Sequence, residues 1–377
     1  MTAAEKWSAE IGAVRVHFGP GSLDRLGGLC RELGGSRVLL VTDRGVRDAG
    51  YAERALAALE DEGLAAAAFD GVEENPTSLQ VEEGRRFASG FGPDLLVGLG
   101  GGSAMDCAKG INFVLTNGGR MEDYWGSGKA SRPMLPSIGV PTTAGTGSEA
   151  QSYSLISHPE THQKMACGDR KSRFREVILD PDLVMTAPRR VAANAGIDAL
   201  SHAVESYVTR RGNAVSRMLA REAWRLLAGS LETLLSRPGD LAASGDALLG
   251  AHLAGAAIEA SMLGAAHACA NPLTARFDIA HGAAVGLMLP HVVRFNSEEE
   301  AIGEMYLGLS GESSAALAAR IEKLRAAAGL PARLRDCDVD AACLPELAAE
   351  AARQWTAGFN PRPVEAAALL ELYEAAL

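Results

Sequence analysis

The sequence predicts an α/β N-terminal domain with a mostly parallel sheet over residues 1–186, followed by an all-α helical domain over residues 187–377. Two textures carry this division. In the first half, short runs of Val, Ile and Leu alternate with amphipathic stretches, the pattern of strands covered by helices. In the second half strand signals fade, and apolar positions recur with a helical period of about 3.6. A chain of 377 residues that is 47% hydrophobic is long enough to bury two cores.

Taken in order, Val14–Phe18, Arg37–Thr42, Leu95–Leu99, Pro136–Val140 and Val177–Leu179 read as strands. Glu53–Gly63 and Leu79–Ser89 are amphipathic helical segments between them. Pro188 is expected just inside the first turn of the helical domain, where a missing N–H costs nothing. Arg217–Leu235, Asp246–Met262 and Ser313–Ala328 then carry helical periodicity.

Composition narrows the function. The net charge of −11 argues against nucleic acid and anionic membrane as partners. The six cysteines (Cys30, Cys107, Cys167, Cys269, Cys337, Cys343) include no C-x-x-C pair and no disulfide framework, as expected in a reducing cytoplasm. No long uncharged apolar stretch appears, and the polar start MTAAEKWSAE is unlike a signal peptide, so a soluble cytoplasmic protein is expected.

Two loops in the first half suit a phosphate-bearing ligand. Leu95–Leu99 runs into Gly100-Gly101-Gly102-Ser103, with Asp106 in the first turn of the helix that follows. Such a turn brings backbone N–H groups at a helix N-terminus close to a diphosphate. A ligand-free strand-to-helix turn reads the same way, and GGGS fits neither G-x-G-x-x-G nor a Walker loop. The second loop, Thr142-Thr143-Ala144-Gly145-Thr146-Gly147-Ser148, also follows a strand and is rich in hydroxyls and amides. Ligands bind at the carboxyl ends of the strands in open α/β sheets. Asp43, at the end of Val38–Thr42, is placed to accept ribose hydroxyls and repel a 2′-phosphate, or simply to cap a helix.

The second half holds a candidate metal site. Asp198 and His202 lie one turn apart in AGIDALSHAVESYV and face one side of a helix, and His267 and His281 follow downstream. Each alone reads as a core histidine or a salt-bridge partner. Together, three imidazoles and a carboxylate suit a borderline divalent ion such as Fe²⁺ or Zn²⁺. His17, His158, His162, His252 and His291 have no partners at ligand spacing and read as surface or packing residues.

These stretches resemble the iron-containing (group III) alcohol dehydrogenase family, within the wider dehydroquinate-synthase-like fold. The matching motifs are VTD at 41–43, ENPT at 74–77, GLGGGSAMDCAKG at 98–110, IGVPTTAGTGSE at 138–149, AGIDALSHAVESYVT at 195–209, GAAHACANPLTARF at 264–277, AHGAAVGLMLPHVVRFN at 280–296 and GFNPR at 358–362. The resemblance implies an active site in a cleft between the two domains. It matches Asp198, His202, His267 and His281 to metal ligands. Asp43, Asn75, Gly101, Gly102, Ser103, Asp106, Thr142, Thr143 and Thr146 match NAD-contacting positions, and Lys164 resembles a lysine near the nicotinamide ribose. It further implies a homodimer or larger homo-oligomer, with Val14–Phe18 as an open edge strand pairing with its mate.

The implied reaction moves a hydride between a small alcohol, or its aldehyde or ketone, and NAD(H), while a divalent ion polarises the alcohol oxygen. One position departs from the pattern: Asn271 stands where many relatives carry a histidine proposed to relay the substrate proton, and an amide cannot titrate near neutral pH. Asn271 is thus the candidate position on the proton path. A maleylacetate-type reductase and a dehydroquinate-synthase-like lyase share the fold. The full ligand set argues against the first, and the lack of a basic cluster beyond Arg210-Arg211 argues against the second.

Overall fold

A computed structural model describes residues 5–161 and 163–377. The chain forms two compact units, one running through Thr143 and resuming over Gly147–Ala187, the other comprising Ala144–Thr146 and Pro188–Leu377.

Among the described residues of the first unit, ten strands form two sheets. They are β1 (Trp7–Ile11), β2 (Val14–Phe18), β3 (Arg37–Asp43), β4 (Ala65–Val72), β5 (Leu95–Gly100), β6 (Gly126–Ser127), β7 (Ser137–Pro141), β8 (Tyr153–Ser157), β9 (Lys164–Gly168) and β10 (Glu176–Leu179). The large sheet has the order β1-β2-β10-β7-β5-β3-β4, parallel except for the antiparallel β1–β2 pair. The small sheet has the order β6-β9-β8, with β6–β9 parallel and β8–β9 antiparallel.

The strand runs are continuously apolar because both faces of the sheet are covered. Val38, Leu40, Leu95 and Val97 pack into one core, while Leu39, Val41 and Leu96 pack into the other. All five expected strands form, within a residue or two of their expected ends. One expectation about them needs correcting. Val14–Phe18 is not an open edge: β1 pairs on one side and β10 on the other, so the edge position falls to Trp7–Ile11.

The second unit is helical among its described residues. The helix Arg189–Val208 packs against Ala214–Ser236, Leu241–Glu259 and His281–Asn296. Pro188 occupies the cap position, φ −52° and ψ 138°, one residue earlier than expected, because the residue bearing those angles stands outside the helix. Leu241–Glu259 is long and apolar enough to cross a membrane, with mean hydropathy 1.3, but 78% of that window is buried inside the protein, as in a core helix.

Candidate functional site

Three neighbouring strands of the large sheet end on the residues singled out as cofactor positions. β3 ends at Asp43, β5 at Gly100 and β7 just before Thr142. Asp43 caps the short helix Arg44–Asp48 by accepting from Val46 N at 2.9 Å. Its other oxygen faces the glycine loop, 3.1 Å from where a Cβ on Gly100 would lie. Gly100 has φ +150°, and a side chain there would also come within 2.7 Å of Ala104 Cβ, so the turn requires glycine. Gly101 is the N-cap of the helix Gly102–Asn117, which leaves the first N–H groups of that helix at the loop.

Asn75, Thr142 and Thr143 of the same unit meet this loop. Asn75, with φ +53°, donates its backbone N–H to Ser103 Oγ at 3.3 Å. Thr142 N donates to Gly100 O at 2.9 Å, and Thr143 Oγ1 lies 3.5 Å from a Cβ on Gly101. Thr146 is exposed in the Ala144–Thr146 segment that belongs to the helical unit. Lys164 begins β9, close enough for its charge to favour ionisation of Asp106.

Asp106 faces inward. It accepts from Ser148 Oγ and from Leu155 N at 3.1 Å and pairs with Lys109 Nζ at 3.6 Å. Lys109 Nζ donates to Ser148 O at 2.7 Å, Ser148 Oγ at 2.8 Å and Tyr153 O at 2.7 Å. Burial pushes the Asp106 carboxyl up, opposed by Lys109 and these hydrogen bonds. The pair therefore ties the helix after the glycine loop to the far end of the second loop.

In the helical unit the four candidate ligands come together. Asp198 and His202 share one face of Arg189–Val208, His267 lies in the first turn of Ala265–Phe277, and His281 begins His281–Asn296. Asp198 Oδ1 lies 3.4 Å from His202 Nε2, 3.6 Å from His267 Nε2 and 3.8 Å from His281 Nε2. Four ligand atoms at about 2.0–2.1 Å from a shared tetrahedral ion would stand roughly 3.4 Å apart. The rings of His202 and His267 stack at 4.9 Å, with that of His281 at 5.4 Å from His267.

The protein groups leave this cluster short of donors. Asp198 Oδ1 and His267 Nε2 are fully buried and have no hydrogen-bond partner among the described residues. Unsatisfied buried atoms of this kind are costly unless something else meets them, and a carboxylate oxygen with imidazole nitrogens is the donor set of a divalent ion. The residues therefore fit one. Asp198, His202 and His267 are buried, whereas the His281 side chain is 26% exposed and gives the cluster its open side. Burial opposes ionisation of Asp198, but the three imidazoles outweigh it and hold the carboxyl below its usual range. Burial likewise disfavours a charged His267, yet the Asp198 and Glu205 carboxylates raise its pKa to about 9.

Asn271 sits one turn beyond His267 on the same helix and donates from Nδ2 to Gln354 Oε1 at 3.0 Å. Among the remaining histidines, His17 is held by Ser8 and Glu176, and His158 Nδ1 accepts from Glu160 N and Thr161 N. His162 lies outside the described residues. Sequence reasoning passed over Lys109 and Glu205. For Glu205 a signal existed: positions 198, 202 and 205 recur on one face of a helix, and the side chain accepts from His267 Nδ1 at 2.6 Å.

Residues 13–181 match the family model for iron-containing alcohol dehydrogenase, and residues 192–377 match that for the C-terminal part of the Fe-containing alcohol dehydrogenase family. A 1,3-propanediol dehydrogenase of Klebsiella pneumoniae is 36% identical over 357 residues, which is 92% of each chain. A lactaldehyde reductase of Escherichia coli K12 is 32% identical over 95% of this chain and 97% of its own. The crystal structure of a 1,3-propanediol oxidoreductase superposes with a TM-score of 0.90 at 32% identity, covering all of both chains. The chain belongs to the iron-containing alcohol dehydrogenase family. It is accordingly an oxidoreductase of alcohols and their carbonyl counterparts, in a family that uses NAD and a divalent metal.

Proposed function

We propose that Asp198, His202, His267 and His281 bind one Fe²⁺ or Zn²⁺, and that the chain oxidises a small alcohol with NAD⁺ or reduces the matching carbonyl with NADH. The observation that carries this reading is the approach of three Nε2 atoms to within 3.4–3.8 Å of Asp198 Oδ1, two of these four atoms, Asp198 Oδ1 and His267 Nε2, being buried without a hydrogen-bond partner among the described residues. When bound, the ion supplies Lewis acidity to the substrate oxygen and NAD supplies the hydride acceptor. Asp198 and the imidazoles supply oxygen and nitrogen donors that suit both ions.

The cofactor reading divides the work between residues that touch and residues that hold. Gly101, Gly102 and Ser103 offer helix N-terminal amides to the diphosphate, and Asp43 accepts ribose hydroxyls. Asn75, Thr142, Thr143, Thr146 and Lys164 are assigned to the surrounding NAD contacts, while Asp106 acts from behind, through Ser148 and Lys109. On this reading residues 1–186 are the dinucleotide-binding domain and 187–377 the metal- and substrate-binding domain. Asn271 presents an amide one turn beyond His267 on the same helix, able to orient a substrate hydroxyl or a water but not to take up a proton.

The substrate class follows the relatives, whose names specify 1,3-propanediol and lactaldehyde, both small molecules with a second oxygen. We place the enzyme in the cytoplasm, consistent with six free thiols, and assign it a homodimer through the exposed edge of Trp7–Ile11. The test is NADH formation by the purified protein over a panel of small alcohols and diols, with and without added Fe²⁺ or Zn²⁺. No turnover of any member, with metal bound and NAD⁺ saturating, would overturn the assignment.

A further inference from the structure

Neither the acid at position 205 nor the GFNPR stretch at 358–362 belongs to the ligand set or the cofactor loops, yet the two meet at the start of the helix that carries His267. Glu205 is buried, 3% exposed, on Arg189–Val208. Its carboxylate accepts from Ala266 N at 2.7 Å, Gly264 N at 3.1 Å and His267 Nδ1 at 2.6 Å. Between the two backbone donors, Ala265 N goes to Asn360 Oδ1 at 3.2 Å. Asn360 is itself fixed, donating to Asn296 Oδ1 and Arg362 O, each at 2.7 Å. The opening N–H groups of a helix lack intrahelical partners, and here buried side chains from elsewhere in the fold take them.

The Glu205–His267 contact does more than cap. An ionised carboxylate only accepts, so a 2.6 Å contact requires the proton on Nδ1. With Nδ1 so committed, Nε2, 3.6 Å from Asp198 Oδ1, is the atom left to give up its proton and ligate an ion. Asp198 and Glu205 also bring two negative charges to the cluster, which would balance a divalent cation held by imidazoles that are neutral when they ligate. Buried charges are tolerated only when compensated in this way.

We propose that Glu205 is a positioning residue of the metal centre, fixing the tautomer and ring orientation of His267 and completing the charge balance, while Asn360 only caps the helix. This rests on the ligand assignment proposed above. Carboxylates behind a ligating histidine typically affect metal affinity by about 10–100-fold. The experiment compares the parent, Glu205→Gln and Asn360→Ala as purified full-length proteins, stripped and titrated with Zn²⁺ against a chromogenic chelator.

Glu205→Gln should bind Zn²⁺ about 10–100-fold more weakly than the parent, and Asn360→Ala within about threefold of it. Parent-like affinity in Glu205→Gln, or equal losses in both variants, would overturn the proposal. Should Glu205→Gln not fold, ¹⁵N-histidine spectra of the zinc-loaded parent decide instead: a proton on Nδ1 of His267 supports the role, and one on Nε2 overturns it. A parent that binds no Zn²⁺ at all sinks the ligand assignment rather than the role of Glu205.

Discussion

Lys109→Met is the substitution whose consequence the structure fixes most fully. The ammonium is buried, its side chain 1% exposed, and it donates to two backbone carbonyls and one hydroxyl at 2.7–2.8 Å beside Asp106 at 3.6 Å. Methionine keeps most of the stem but removes the charge. Asp106 is then a buried carboxylate without its cation, and the carbonyls of Ser148 and Tyr153 lose a donor. Breaking a buried pair by removing one partner costs about 3–5 kcal/mol. The Ser148 hydroxyl and the Leu155 N–H, which still reach Asp106, keep the loss from growing far beyond that. At about 2–4 °C per kcal/mol for a unit of this size, Tm should fall by roughly 6–20 °C. Thermal scans of parent and variant measure this, and NAD titration should show weaker binding because the second loop loses its anchor. Asp106→Asn in the Lys109→Met background should recover part of the loss, since the uncompensated charge is gone. A Tm change under about 2 °C, or no recovery in the double variant, would refute the account of this network.

Three further outcomes are expected. Asp43→Gly should narrow or reverse the preference for NAD over NADP, read as the ratio of kcat/KM values, and should cost only about a few tenths of a kcal/mol through the lost cap on Val46 N, because glycine is itself tolerated at a cap; equal efficiency with both cofactors in the parent would show that Asp43 serves only the cap. Asn271→His should keep its metal and add an ionisation to the pH–rate profile near the imidazole value of about 6.5, with the rate depending on the neutral base above it; a profile that overlays the parent would take position 271 off the proton path. Sedimentation should give a mass above the 39.3 kDa of one chain, and a monomer at micromolar concentration would rule out pairing through Trp7–Ile11.

The parts of the fold that were legible in the sequence are those whose environment is simple. Leu95–Leu99 reads as a strand because both its faces are buried. Ala65–Val72 escaped because its run of alanines favours helix locally, and only pairing with β3 makes it a strand. Tyr153–Ser157 and Lys164–Gly168 form a half-exposed hairpin in which Leu155 faces outward, so no clean alternation marks them. The ligand cluster was legible because a helix brings positions 198 and 202 to one face, whatever the fold around it. Lys109 was not, because an isolated Lys in an apolar helix reads as a solvated charge until the tertiary structure supplies its partners, whereas Glu205 shared the face of positions 198 and 202 and was passed over. The open edge at Val14–Phe18 failed for a related reason: β1, with Ser8, Ala9 and Glu10 as three of its five residues, carries little strand signal of its own.

The central claim is that one divalent ion sits among Asp198, His202, His267 and His281 and is required for turnover. The direct measurement is metal content and alcohol-dependent NADH formation on the same samples: parent, chelator-stripped, reconstituted, and His267→Ala. The account predicts about one ion per chain in the parent, loss of ion and activity together on stripping, recovery of both with Fe²⁺ or Zn²⁺, and neither in His267→Ala. Full alcohol oxidation by the stripped protein, with no metal returned to it, would contradict it.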